Sequence, residues 1–104
     1  MAELAVKITG ADQDPAAREL RDQITAQQGQ AQIYAETGKD PLTTAATVVS
    51  IVLAGIQAAD IIWKWWQNRQ KSGANVTIRT ASGRVIDLSK VDQKHIELVL
   101  EEED

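Results

Sequence analysis

The chain has 104 residues, the size of a single domain around one core, and its 43% hydrophobic and 25% charged content is that of a folded globular protein. A net charge of −4 argues against nucleic-acid binding, which asks for a clustered basic surface. The absence of cysteine excludes disulfides, thiol catalysis and cysteine-based zinc sites, and suits a cytoplasmic protein.

The opening residues carry no basic region followed by an apolar run, so no secretory signal is expected. Leu4, Val6 and Ile8 alternate with Ala5, Lys7 and Thr9, the period of a half-buried strand, and Gly10 ends it. Asp14-Pro15 then predicts a helix start, with aspartate at the N-cap and proline where no N–H is needed. Ala17, Leu20 and Ile24 share one face of that helix, Arg18 and Asp22 are spaced to pair outside it, and Gly29 is its expected stop. Ala31, Ile33 and Ala35 alternate with Gln32, Tyr34 and Glu36 as a second, weaker strand.

Between Pro41 and Ala59 there is no charged residue, and the stretch runs on into Trp63, Trp65 and Trp66. Asp40-Pro41 repeats the helix-start signal, so one long central helix is predicted over 41–71, closed by Ser72-Gly73. At ~1.5 Å per residue such a helix would be roughly 45 Å long, against about 20 Å for a six-residue strand. It must therefore overhang the sheet or break, and Gly55 is the expected break. On a helical wheel Val49, Val52, Ile56, Trp63 and Trp66 gather on the face expected to pack on the sheet. Ala46, Ser50, Ala54 and Ala58 form an uncharged row of small side chains on the other side, joined by Ile61 and by Trp65, an expected exposed anchor. These six residues are the candidate partner interface. The row could be covered by the rest of the chain, by a second copy or partner protein, or by a membrane. Thr43, Thr44, Thr47, Ser50 and Gln57 make it only mildly apolar for the last of these.

Val76, Ile78 and Thr80 alternate with Thr77 and Arg79, and Ile86 and Leu88 resume the pattern after the turn Ala81-Ser82-Gly83, predicting a β-hairpin. Ser89 and Asp92 resemble a capping box for a last helix whose inner side holds Val91, Ile96, Val99 and Leu100. The acidic run 101–104 is expected to be disordered. The expected fold is α+β, a two-layer sandwich in the order β-α-β-α-β-β-α. A mixed sheet of about four strands is covered by the long helix and two shorter ones, as a single interaction domain over 1–104.

Catalytic chemistry is not expected. His95 is the only histidine and lies among Asp92, Lys94 and Glu97 on the last helix, and no serine sits in a strand-turn-helix elbow. Gly10, Gly29, Gly38, Gly73 and Gly83 are isolated, so no phosphate-cradling loop is present. No cofactor, metal site or catalytic residue is assigned.

The opening strand from Leu4 to Thr9, the segment from Asp14 to Arg21 and an Ala/Thr/Val-rich stretch ending in tryptophans and basic residues follow one another along the chain. After them come Asn75-Val-Thr-Ile-Arg, a Gly83-Arg84 turn and Val85-Ile-Asp-Leu. This pattern covers nearly the whole chain and resembles the first type of bacterial effector-associated constant component domain. Such domains are similar to small adaptor modules encoded beside, or fused to, caspase-like and trypsin-like peptidases in bacterial conflict systems. The resemblance implies a non-catalytic role in antiviral defence or programmed cell death, with a peptidase or other effector encoded nearby as partner. A homo-oligomer through the central helix is a further expectation. The competing readings are a membrane-acting effector whose helix 41–71 inserts after activation, and a regulatory or antitoxin-like small domain.

Overall fold

The computed structural model describes residues 1–10, 12–37, 44–69 and 74–104. Strand β1 (Ala2–Thr9), helix α1 (Gln13–Ala26) and strands β2 (Gln30–Thr37) and β3 (Thr44–Leu53) are followed by helix α2 (Gly55–Gln67). Strands β4 (Asn75–Thr80) and β5 (Val85–Asp87), a 3-10 turn (Leu88–Lys90) and helix α3 (Gln93–Glu102) complete the chain. The fold is α+β: a five-stranded sheet in the order β2-β3-β1-β4-β5, every neighbouring pair antiparallel, with three α-helices.

Two expectations are corrected here. The sheet has five strands where about four were expected, and it is antiparallel rather than mixed. Of the single helix expected over 41–71, Thr44–Leu53 is strand β3 and Gly55–Gln67 is helix α2; its expected start at Asp40-Pro41 and stop at Ser72-Gly73 lie outside the described residues. Thr47, Val48, Val49, Ile51 and Val52 are β-branched and stiff at χ1, which favours the pleated strand over the helix. The chain turns from strand to helix at Ala54 and Gly55, where the break was expected. The membrane-insertion reading needed that long helix. No helix among the described residues is long and apolar enough to cross a membrane.

Since β3 is antiparallel to both β1 and β2, the strands β1 and β2 run the same way with β3 between them. By the same argument β3 and β4 run parallel with β1 between them. Two β-α-β units are thus interleaved, each lending a strand to the gap of the other.

Alternation along the strands sends one set of side chains into the core: Leu4, Val6 and Ile8 from β1, Val49, Ile51 and Leu53 from β3, Val76 and Ile78 from β4, and Ile86 from β5. Leu20 and Ile24 of α1, Ile62 and Trp65 of α2, and Ile96 and Leu100 of α3 join the same cluster. Each large aliphatic side chain buried this way contributes about 1.5–3 kcal/mol before the entropy of ordering is subtracted. Val49 takes its expected place in the core, but Val52 lies on the other side of the sheet and Ile56 is 55% exposed.

Local chemistry sets the element ends. Helix α1 starts at Gln13, before the expected Asp14, and the Asp14 carboxylate accepts the Thr47 hydroxyl at 2.7 Å instead. It stops in a Schellman motif: the Gly29 N–H donates to the Ile24 carbonyl and the Gln28 N–H to that of Thr25, each at 3.0 Å. Gln28 takes the left-handed conformation (φ 67°), while Gly29 is needed for room, since a Cβ there would lie 2.7 Å from Ile24 Cγ2. Helix α3 is capped by Asp92, which accepts the His95 N–H at 2.9 Å. Ser89, expected to be that cap, sits in the preceding 3-10 turn and donates to Asp87. Glu101 and Glu102 continue α3, and Asp104 accepts the Gly55 N–H.

Candidate interaction face

On the side of the sheet opposite the core, the described side chains are half-buried or exposed apart from Ala46 and Val48, so this side lies open. The strand registers fix how its side chains line up. One row across the sheet runs Tyr34, Val48, Lys7, Thr77, Asp87, and the next runs Gln32, Ser50, Ala5, Arg79, Val85. Outer rows add Glu36 beside Ala46, and Gln30, Val52 and Glu3.

Val48 is only 3% exposed although it is on this open side. Lys7 spans the row to Glu36 in an ion pair of 3.2 Å. Tyr34 on β2 is 51% exposed and Val85 on β5 is 65% exposed, so each strand at the rim carries a large side chain in water. A shallow depression of about 170 Å³ lies between them, floored by Ala5 and Val48 and edged by Tyr34, Arg79 and Val85.

The face is close to balanced in charge, with Lys7 and Arg79 set among Glu3, Glu36 and Asp87. It has neither the basic excess that phosphate neutralisation needs nor a contiguous apolar patch suited to lipid. The Ser89 hydroxyl donates to Asp87 at 2.7 Å and the Ser89 N–H at 3.0 Å, and these bonds hold the Asp87 carboxyl below the usual carboxylate range. The face therefore presents hydrogen-bonding and ionic groups around the small apolar side chains Ala5 and Val48.

The six expected interface residues are not brought together. Ala46 and Ser50 are on β3, on the open side, with Ala46 buried and Ser50 half-buried. Ala54 is half-buried at the joint between β3 and α2. Ala58 and Trp65 are fully buried in the core. Ile61 is half-buried at an open groove of about 420 Å³ between α1 and α2, with Gln23, Gln57, Asp60 and Lys64 around it. Trp65 is corrected from exposed anchor to core residue: its Nε1 donates to the Ala16 carbonyl at 3.0 Å, joining α2 to α1. Reading β3 as a helix had placed on one face residues that belong to two elements and both sides of the sheet.

Sequence reasoning passed over Tyr34, Val48, Lys7, Arg79 and Val85. The signal for Tyr34 was present, since it lies between Gln32 and Glu36 on the outward parity of an alternating strand. Its partners could be found only once β3 was known to be a strand.

The Ala81-Ser82-Gly83 turn is held against the end of α3, where Ser82 donates to Glu103 and Arg84 pairs with Glu102. Among the described residues no group of three His, Asp or Glu side chains converges to hold a metal ion, and His95 is exposed. No protein-family model, curated protein or solved structure matches the chain.

Proposed function

We propose that the chain is a non-catalytic protein-interaction module, an adaptor of a bacterial conflict system that couples to a caspase-like or trypsin-like peptidase effector. On this reading it is a two-layer sandwich, with helices on one side of the sheet and the recognition face on the other. The observation that carries the proposal is that open face, with Tyr34 and Val85 exposed on its outer strands above the Val48 floor. Tyrosine is enriched among residues that dominate binding energy, because it supplies a large contact at low entropic cost. With strands of only three to ten residues the face is small, which fits a transient signalling contact better than the ~800 Å² per partner of a standard stable interface. The peptidase as partner comes from the family resemblance.

The test is a titration of the purified chain against the peptidase encoded beside it. Tyr34→Ala and Arg79→Glu should each weaken binding by at least ~tenfold, as hot-spot truncations do, while circular dichroism stays unchanged. His95→Ala should bind as the parent does. Failure of the parent to bind any adjacent peptidase would overturn the adaptor reading. Binding that ignores both face variants would overturn the choice of surface. Inhibition of a neighbouring toxin enzyme instead would favour the antitoxin-like reading.

A further inference from the structure

The two edges of the sheet are treated differently. Strand β5 has only three residues and passes directly into the 3-10 turn, which blunts that edge. Strand β2 has eight residues, and its outer side pairs with no described element. It has no proline and no lysine, and its register with β3 runs unbroken from Gln30 to Glu36 before shifting at Glu36/Thr37. Its single charge, Glu36, is already paired with Lys7 of the same chain. Such an edge is a row of unpaired N–H and C=O groups ready for another strand.

We propose that a second copy of the chain pairs antiparallel across β2, about a two-fold axis through Ile33. Parity limits the choice of register. Even-numbered residues of β2 face the open side and odd-numbered ones the core side, and directly paired residues must share a side. The two-fold axis must therefore pass through a residue, and Ile33 is the centre of the regular stretch 30–36. In this register Ile33 meets Ile33 and Ala31 meets Ala35, an apolar strip on the core side. Gln32 meets Tyr34 and Gln30 meets Glu36 on the open side, so no two like charges are opposed.

Beside Ile33 an open groove of about 290 Å³ is lined by Asp14, Arg18 and Arg21 of α1, so ionic groups of both signs border the proposed seam. The dimer would join two sheets into one of ten strands with both open faces on the same side. It does not depend on what binds those faces.

Sedimentation equilibrium of the whole chain tests this. The wild type should be a dimer. Ile33→Lys, which sets two ammonium groups against each other on the axis, should weaken it by at least ~tenfold with the circular dichroism and tryptophan fluorescence of the fold retained. The chain has no cysteine, so Ile33→Cys provides a second, conservative probe. It should yield a disulfide-linked dimer under mild oxidation, whereas Asn75→Cys on β4 should not. The proposal would be overturned by a monomeric wild type, by a folded Ile33→Lys variant that still dimerises, or by cross-linking at position 75 and not at 33. Should Ile33→Lys unfold, the cysteine pair decides.

Discussion

The carboxylate of Asp104 receives the backbone N–H of Gly55 on both oxygens, each at 3.1 Å, tying the segment after α3 to the first turn of α2. Ala54, the N-cap position of α2, makes no side-chain cap bond, so Asp104 supplies from a distance the oxygen a local Ser or Asp would provide. Gly55 permits this, since a Cβ there would come within 2.3 Å of the Leu100 carbonyl oxygen. Asp104→Ala should cost about 0.5–2 kcal/mol in urea unfolding, in the range of a lost cap. Gly55→Ala should cost more than Asp104→Ala, because backbone rather than a flexible side chain must move. Equal stability of Asp104→Ala and the parent would remove the cap from the account.

Residues 51 and 52 separate the strand from the helix for this segment. Ile51 is 1% exposed in the core, whereas Val52 is half-buried on the open face beside Glu3 and Gln30. Ile51→Ala should cost about 2–5 kcal/mol, and Val52→Ala less than ~1 kcal/mol. Were the segment helical as its sequence suggested, Val52 would be the expensive position. Equilibrium denaturation of both variants reads the difference directly.

That segment also shows where sequence reading ran out. Strand β1 and the β4–β5 hairpin were legible because one face is buried and the other wet, so Leu4, Val6, Ile8 and Val76, Ile78 alternate with polar neighbours. Strand β3 lies inside the sheet, and Val48 on its open side is almost as buried as Val49 on its core side. Two-sided burial erases the period of two and leaves an uncharged run that length and composition must arbitrate. The β-branched run from Thr47 to Val52 and the break at Gly55 were the available evidence. The candidate face was hidden by the same ambiguity, as its middle is β3.

Trp65 joins two helices by one polar atom and a large buried surface. Trp65→Phe should cost about 1–2 kcal/mol, for the lost hydrogen bond to Ala16 and the smaller ring. Trp65→Ala should cost about 3–5 kcal/mol or prevent folding. The tryptophan emission of the parent should be blue-shifted and move red on unfolding, with Trp65→Phe removing part of the blue-shifted signal. A red-shifted native spectrum would place Trp65 in water, as the sequence suggested.

Acid should loosen the clasp between the β4–β5 turn and α3. The Ser82 hydroxyl, with that of Thr80, holds the Glu103 carboxyl below the ordinary glutamate range, and Arg84 adds to this. A depressed carboxylate contributes stability above its unfolded pKa of about 4.3 and loses it as pH falls through the lower folded value. Arg84 is held more firmly protonated by its bond to Glu102, so it stays cationic throughout that window. NMR titration should show Glu103 with a midpoint below 4.3 or so, and Glu103→Gln should erase the linked shift at Ser82. A Glu103 midpoint at or above the peptide value would contradict the clasp.

The position of β1 bears on how the molecule is reached from an unfolded chain. It comes first among the strands, yet both its neighbours, β3 and β4, lie far along the sequence and neither is joined to it by a hairpin. The neighbouring pairs β2–β3 and β4–β5 are close in sequence and can form early, but each then waits on β1 to be stitched to the other. Refolding should accordingly be slow for a domain of this size, on the order of milliseconds to seconds, and limited by sheet closure rather than by the helices. Until β4 arrives, β1 exposes a bare edge carrying Leu4, Val6 and Ile8. During synthesis that interval is when the chain is most prone to pair with the wrong strand.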